Sequence, residues 1–358
     1  MSGYEYGNAR LRAMRSRLLS RRELIGLAEA RSLPEFIGMF AQTSYRRSIE
    51  LALVQASELE SIYQALRHDF VETIVKIRGF YDDSERKLID LILREYDVHN
   101  LKTVLRGLSH QAEQADIDGA LLPTCDLPAG ILEALLRASS PRGAIDLLAT
   151  MRHPFAQPLL TLRAEQPGAS LDQMEHALDR WRFDEARRAL QHEQEEGKRV
   201  LAALRLENDI RNIMLVLRLI RYPAEQQALK IRLGHDGMEG ILPAEGSIPV
   251  ERLNRMLAAK RLSAALELLS DAPYIDALRA GMQAYDRSGQ LSEIERGLRR
   301  FQLHWLSAQI VNDPLGIGVV LGYLAEKGNE VSNLRRAARG IQMRMAPGDI
   351  AVEMEFIE

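Results

Sequence analysis

The decapeptide DVHNLKTVLR (Asp97–Arg106) carries an acid, an amide and a guanidinium in fixed order, and the order returns in DIRNIMLVLR (Asp209–Arg218) and EVSNLRRAAR (Glu330–Arg339). Such groups can bind anions, grip a polar partner or move protons, provided they converge. On a helix they do not converge. With Asn100 set at 0° and about 100° per residue, Val98, Leu101, Val104, Leu105 and Leu108 share one apolar arc, Asn100 lies at its border and Arg106 lies on the far side. The same holds around Asn212 and Arg218, and around Asn333 and Arg339. A border amide has to be hydrogen-bonded, so each Asn either ties its helix to neighbouring backbone or joins a polar ring facing a partner. Each Arg is either solvated or ion-paired on one reading, or a partner contact on the other. Asp97, Asp209 and Glu330 fall inside the apolar arc, where an isolated charge is costly, which predicts that they cap a helix start or mark a kink.

Other chemistry-bearing residues are not assembled into a reaction centre. GIGVVLG (Gly316, Gly318, Gly322) misplaces the third glycine of a dinucleotide loop and has no strand before it, whereas Gly318 and Gly322, four apart, suit close helix packing. No GxxxxGK[ST] occurs, so no ATP site is expected. The eight histidines are scattered, with no HExxH and no cysteine partners, so neither a metal nor a cofactor is expected. EQEE (Glu193–Glu196) reads as a solvated helix face. Nothing pairs a nucleophile with a base, so the chain reads as a non-enzyme. Arg10, Arg12, Arg15, Arg17, Arg21 and Arg22 occur with no acid between Tyr6 and Arg22. Interleaved with Leu11, Met14, Leu18 and Leu19, they form a solvated helix face or a contact for acidic partner loops or anionic headgroups.

The elements that must position these residues are helices. The 358 residues are 46% apolar and 27% charged, an ordinary globular composition. The net charge of -3 gives no global attraction to nucleic acid. The single Cys125 can form no internal disulfide and suits a reducing compartment. The N-terminus lacks the apolar core of a secretory signal, and no 18-residue apolar run occurs, so a membrane role has to be peripheral. YQALRHDFVETIVKIRG places Leu66, Phe70, Ile74 and Ile77 on one stripe, and ERKLIDLILREYDVHNLKTVLRGL, FDEARRALQHEQEEGKRVLAAL and RLNRMLAAKRLSAALELL read likewise. Only the tail DIAVEMEFI reads as a short strand. The chain is expected to be all-α, with roughly three quarters of its residues helical against a usual third. The similar linkers LLPTCDLP (Leu121–Pro128) and ILPAEGSIP (Ile241–Pro249) each precede a short helical pair, and ELIGLAEARSLPEFIGMFAQTSY supplies a third pair near the start. Asn100, Asn212 and Asn333 are 112 and 121 residues apart, domain-sized intervals. Three related helical units are expected, at 1–122, 123–242 and 243–358.

Four stretches, YEYGNARLRAMRSRLL (Tyr4–Leu19), YDVHNLKTVLRG (Tyr96–Gly107), LENDIRNIMLVLR (Leu206–Arg218) and DPLGIGVVLGYLAEKGNEVSNLRRAARG (Asp313–Gly340), add a family resemblance. With the triplication, they make the sequence resemble the C subunit of the prokaryotic V/A-type rotary ATPases, the counterpart of the d subunit of the eukaryotic vacuolar enzyme. The last stretch is the most specific, and the resemblance covers essentially the whole chain. Ala337 and Ala338 stand where the family often carries bulkier aliphatics. The resemblance implies a pseudo-threefold helical funnel, in single copy, on the cytoplasmic face of the membrane proteolipid ring. Its cavity would receive the central shaft and pass torque for ATP-coupled proton or sodium transport, with no nucleotide of its own. Asn100, Arg106, Asn212, Arg218, Asn333 and Arg339, with Arg10, Arg12, Arg15 and Arg17, are the partner-binding candidates. The residues by themselves also admit a helical-repeat scaffold that binds peptides or RNA.

Overall fold

The computed structural model describes residues 3–53, 57–122, 127–191, 195–233, 238, 242 and 244–357. The chain is 76% helical, and no strand occurs among the described residues. The helices run α1 (Glu5–Arg15), α2 (Arg21–Ala28), α3 (Leu33–Phe40), α4 (Arg46–Ala52), α5 (Glu58–Gly79), α6 (Asp83–Ser109) and α7 (Gln114–Gly119). Next come α8 (Ala129–Leu136), α9 (Pro141–Thr150), α10 (Ala156–Glu165), α11 (Leu171–Ala189), α12 (Glu195–Arg221) and α13 (Pro223–Leu233). The last are α14 (Val250–Ala258), α15 (Leu262–Glu267), α16 (Ile275–Ser288), α17 (Ser292–Asn312), α18 (Gly318–Gln342) and α19 (Pro347–Glu353).

The all-α expectation holds, and the strand expected in the tail does not. Pro347 opens α19, its fixed φ suiting the first helical turn. Ile350 and Met354 are buried while Val352 between them is 67% exposed, a four-residue rather than a two-residue stripe. The stretch from Phe183 to Leu204, expected as one helix, is divided instead between α11, which ends at Ala189, and α12, which begins at Glu195. Cys125, Glu193 and Gln194, with parts of both proline-marked linkers, lie outside the described residues.

Contacts group the chain into two compact units. Unit 1 comprises Met1–Asn100, Asp118–Pro128 and Leu303–Glu358; unit 2 comprises Leu101–Ile117 and Ala129–Gln302. In unit 1, α18 packs against α1, α2, α3, α5 and α19. Its Leu334, Ala337 and Ala338 are fully buried in one cluster with Phe36, Phe40, Tyr45, Ile62 and Leu66. The Leu66, Phe70, Ile74 and Ile77 stripe of α5 is buried as its spacing requires. Gly318 and Gly322 do serve close packing: a Cβ there would stand 2.5 Å from Gln309 O and 2.4 Å from Ile310 Cγ1 of α17. In unit 2, α12 packs against α11, α13, α14 and α15, while α10 lies on α9 and α11.

Candidate functional site

The three repeated asparagines are wholly buried, and each amide is committed to backbone of its own chain. Asn100 Nδ2 donates to Leu122 O at 3.0 Å, and Leu122 N returns a bond to Asn100 Oδ1 at 2.8 Å. Asn333 makes the same reciprocal pair with Glu355, at 2.7 and 3.0 Å. Asn212 Nδ2 donates to Ala244 O at 2.9 Å, but its Oδ1 accepts nothing. Of the two readings open in the sequence, these bonds are the backbone tie.

The first and third copies share more than this tie. Each long helix ends in a left-handed residue, Gln111 (φ 54°) and Arg344 (φ 56°). Each turn is closed by a bond across it, Ala112 N to Gly107 O and Met345 N to Gly340 O, both 2.9 Å. The next short helix then brings an isoleucine onto that glycine. A Cβ at Gly107 would lie 2.4 Å from Ile117 Cδ1, and one at Gly340 would lie 2.6 Å from Ile350 Cγ1. The second copy departs at each point. Leu219 replaces the glycine, Pro223 starts α13 directly, and the tied backbone is 32 residues beyond its Asn rather than 22. Gly340→Val is therefore expected to destabilise the fold by about 1–3 kcal/mol through overpacking against Ile350. Urea unfolding checks this; a loss below about 0.5 kcal/mol, the level of an ordinary surface change, would show that α19 yields.

The three acids correct the expectation drawn for them. None stands at the start of its own helix: each lies inside a long helix and is buried. Asp209 Oδ1 accepts Ser247 N at 2.7 Å and Ile248 N at 3.0 Å, in the segment that leads into α14. Glu330 Oε2 accepts Leu19 N, in the segment that leads into α2. A buried acid that receives backbone donors avoids the cost that made capping the expected role. Burial pushes the Asp209 carboxyl up to about 6, against the opposing pull of the Ile248 and Ser247 amides. Glu330 has a cation instead. Lys327 Nζ, itself buried, lies 2.9 Å from Glu330 Oε1, 2.8 Å from Asp69 Oδ2 and 2.7 Å from the Tyr45 hydroxyl, which donates to Glu330.

Unit 2 holds a second polar cluster that no motif announced. Lys102 and Arg106 of α6 meet Asp179 and Glu175 of α11. Arg182 and Arg211 both hold Glu207, at 2.7 and 2.5 Å. Burial alone would push Glu207 up, but the two guanidiniums bring it down to about 2. Among them, burial holds His176 down at about 4, with its Nε2 unpartnered. The signal for the Glu207 pairs was weak, because Arg182 stands 25 residues away on another helix.

The seven candidate arginines all expose their side chains. Arg106 forks onto both Glu175 oxygens, and Arg218 Nε reaches Glu225 at 2.6 Å. Arg15 grips Glu326 with two bonds of 2.6 and 2.8 Å, Arg12 reaches Pro314 O, and Arg10 covers the Phe80 ring at 5.3 Å. Arg17 and Arg339 make no ion pair among the described residues. No helix of the described residues is long and apolar enough to cross a membrane.

Residues 7–352 match the family described as ATP synthase (C/AC39) subunit. The chain is similar to the A-type ATP synthase C subunit of Pyrococcus furiosus, 27% identical over 351 residues that cover 96% of this chain and 88% of the relative. The A-type ATP synthase C subunit of Halorubrum lacusprofundi is 26% identical, with 99% and 97% covered. The V-type ATP synthase C subunit of Deinococcus radiodurans is 25% identical, with 98% and 91% covered.

Proposed function

Since the chain belongs to the ATP synthase (C/AC39) subunit family, we propose that it is the non-catalytic socket of a rotary ATPase, joining the central shaft to the membrane proteolipid ring. It sits peripherally on the cytoplasmic face in single copy and passes torque for proton or sodium transport, and it requires no nucleotide or nucleic acid. The observation that carries this is the order of the buried acids. The second long helix holds the segment entering α14, and the third holds the segment entering α2, at the start of the chain. Helix packing follows suit: α12 meets α14 and α15, as α18 meets α2 and α3. The recurrence of this hold in α12 and α18 supports the reading of three related units, 1–122, 123–242 and 243–358, which a pseudo-threefold funnel would require.

A funnel of that symmetry meets an asymmetric shaft through many modest polar contacts rather than one apolar seal. The buried asparagines brace the wall, and the exposed Arg106, Arg218 and Arg339 face the partner. Arg106→Glu with Arg218→Glu is expected to weaken shaft binding about tenfold, equivalent to about 1.4 kcal/mol. Loss of the Glu175 and Glu225 pairs should lower stability by about 1–2 kcal/mol, small enough to leave the chain folded. Shaft-subunit affinity measured beside a thermal melt decides it. Unchanged affinity in a folded variant removes these arginines from the interface.

A further inference from the structure

Unit 2 contains a cavity of about 280 Å³ between α9, α10 and the turn that leads into α11. Its floor is apolar: Ile145 and Leu159 are buried, and Leu162 and Met174 complete it. Two guanidiniums stand at its edge. Arg163 is already neutralised by Asp146 at 2.6 Å. Arg142, exposed at the start of α9, has no ion pair or hydrogen bond among the described residues. The cavity thus offers aliphatic walls, an adaptable thioether and one uncommitted positive charge in its lining. A neutral ligand would leave that charge unused, and a cation would be repelled by it. At about 280 Å³ the cavity lies at the lower end of the usual range for small-ligand sites, roughly 300–1,000 Å³, which suits a small guest.

We propose that this cavity binds a small amphipathic anion, with an unbranched apolar tail seated on Ile145, Leu159 and Met174 and a carboxylate head at Arg142. The site is independent of the socket reading: a chain that fails to bind a shaft can still bind the anion, and the reverse.

The probe is sodium octanoate, with octylamine as its cationic counterpart, titrated into the full chain carrying labelled isoleucine and methionine methyl groups. Octanoate is expected to shift the Ile145 and Met174 methyl resonances saturably, while octylamine shifts them weakly or not at all. Arg142→Glu, an exposed change that leaves the methyl spectrum otherwise folded, should weaken octanoate about fivefold and invert the preference toward octylamine. Absence of saturable shifts overturns the site. Equal binding of both probes, or an octanoate affinity indifferent to Arg142→Glu, overturns the anion specificity and leaves only an apolar hollow.

Discussion

Replacing Lys327 by methionine is expected to destabilise the protein by about 3–5 kcal/mol, the cost of leaving buried charge without its partner. Lys327 is 5% exposed and is the cation closest to Glu330, which is 3% exposed, and it also meets Asp69. Its ammonium bonds the Tyr45 hydroxyl and lies 4.4 Å from the centre of that ring. Burial and the Glu330 carboxylate push the Tyr45 phenol well above its usual range, so it stays a neutral donor to Glu330. Methionine fills the aliphatic volume but supplies no charge, leaving the Glu330 and Asp69 carboxylates without the cation they share. Glu330→Gln should cost less, because an amide oxygen still accepts Leu19 N. The two changes together should cost less than their sum, since they share partners. Urea unfolding of the three variants checks this; a Lys327→Met loss below about 1 kcal/mol would place the ammonium effectively in solvent.

Two buried groups in unit 2 are expected to give opposite acid responses that conceal one another. Asp209 binds its proton more tightly folded, at about 6 against a usual 3.8. Its contribution is therefore full below 3.8 and is lost as the pH rises through about 6, a change of about 3 kcal/mol. His176 resists its proton, at about 4 against 6.5, so its contribution is full above 6.5 and is lost as the pH falls through about 4, again about 3 kcal/mol. Between about pH 4 and 6 the wild-type chain sums two opposed slopes. Asp209→Asn keeps an acceptor for Ser247 and Ile248 and removes one slope, so acidification from about pH 6.5 to 4 should cost it about 3 kcal/mol more than the wild type. His176→Leu loses no bond at Nε2, which has none, and should gain stability over the same span. Melts of both variants against the wild type across that range check the signs. Parallel curves would mean that both groups are solvated.

Helical periodicity made most of the architecture legible, because a stripe such as Leu66, Phe70, Ile74 and Ile77 is set by local geometry alone. The tail misled because Ile350, Val352, Met354 and Phe356 alternate as a strand would, and only the partner surface of α18 decides which of them are buried. The repeated Asn pattern was visible, yet its meaning lay 22 residues onward at Leu122 and Glu355, where backbone atoms of any residue type would serve. The buried acids were misread because a lone sequence shows a charge on an apolar face but not the amide hydrogens that arrive from Leu19 or Ser247. Lys327 could have been found, since it precedes Glu330 by one helical turn, but Tyr45 and Asp69 come from the far end of the chain. The exposed arginines were placed correctly on outer helix faces by the turn of about 100° per residue.

A socket that joins one shaft to one ring is needed once per machine. Native mass spectrometry of the detergent-extracted complex, dissociated stepwise, is expected to give one copy of this chain that stays with the proteolipid ring and shaft after the other peripheral subunits have left. Two or more copies per ring, or a chain that departs with the stator while ring and shaft remain joined, contradicts the socket.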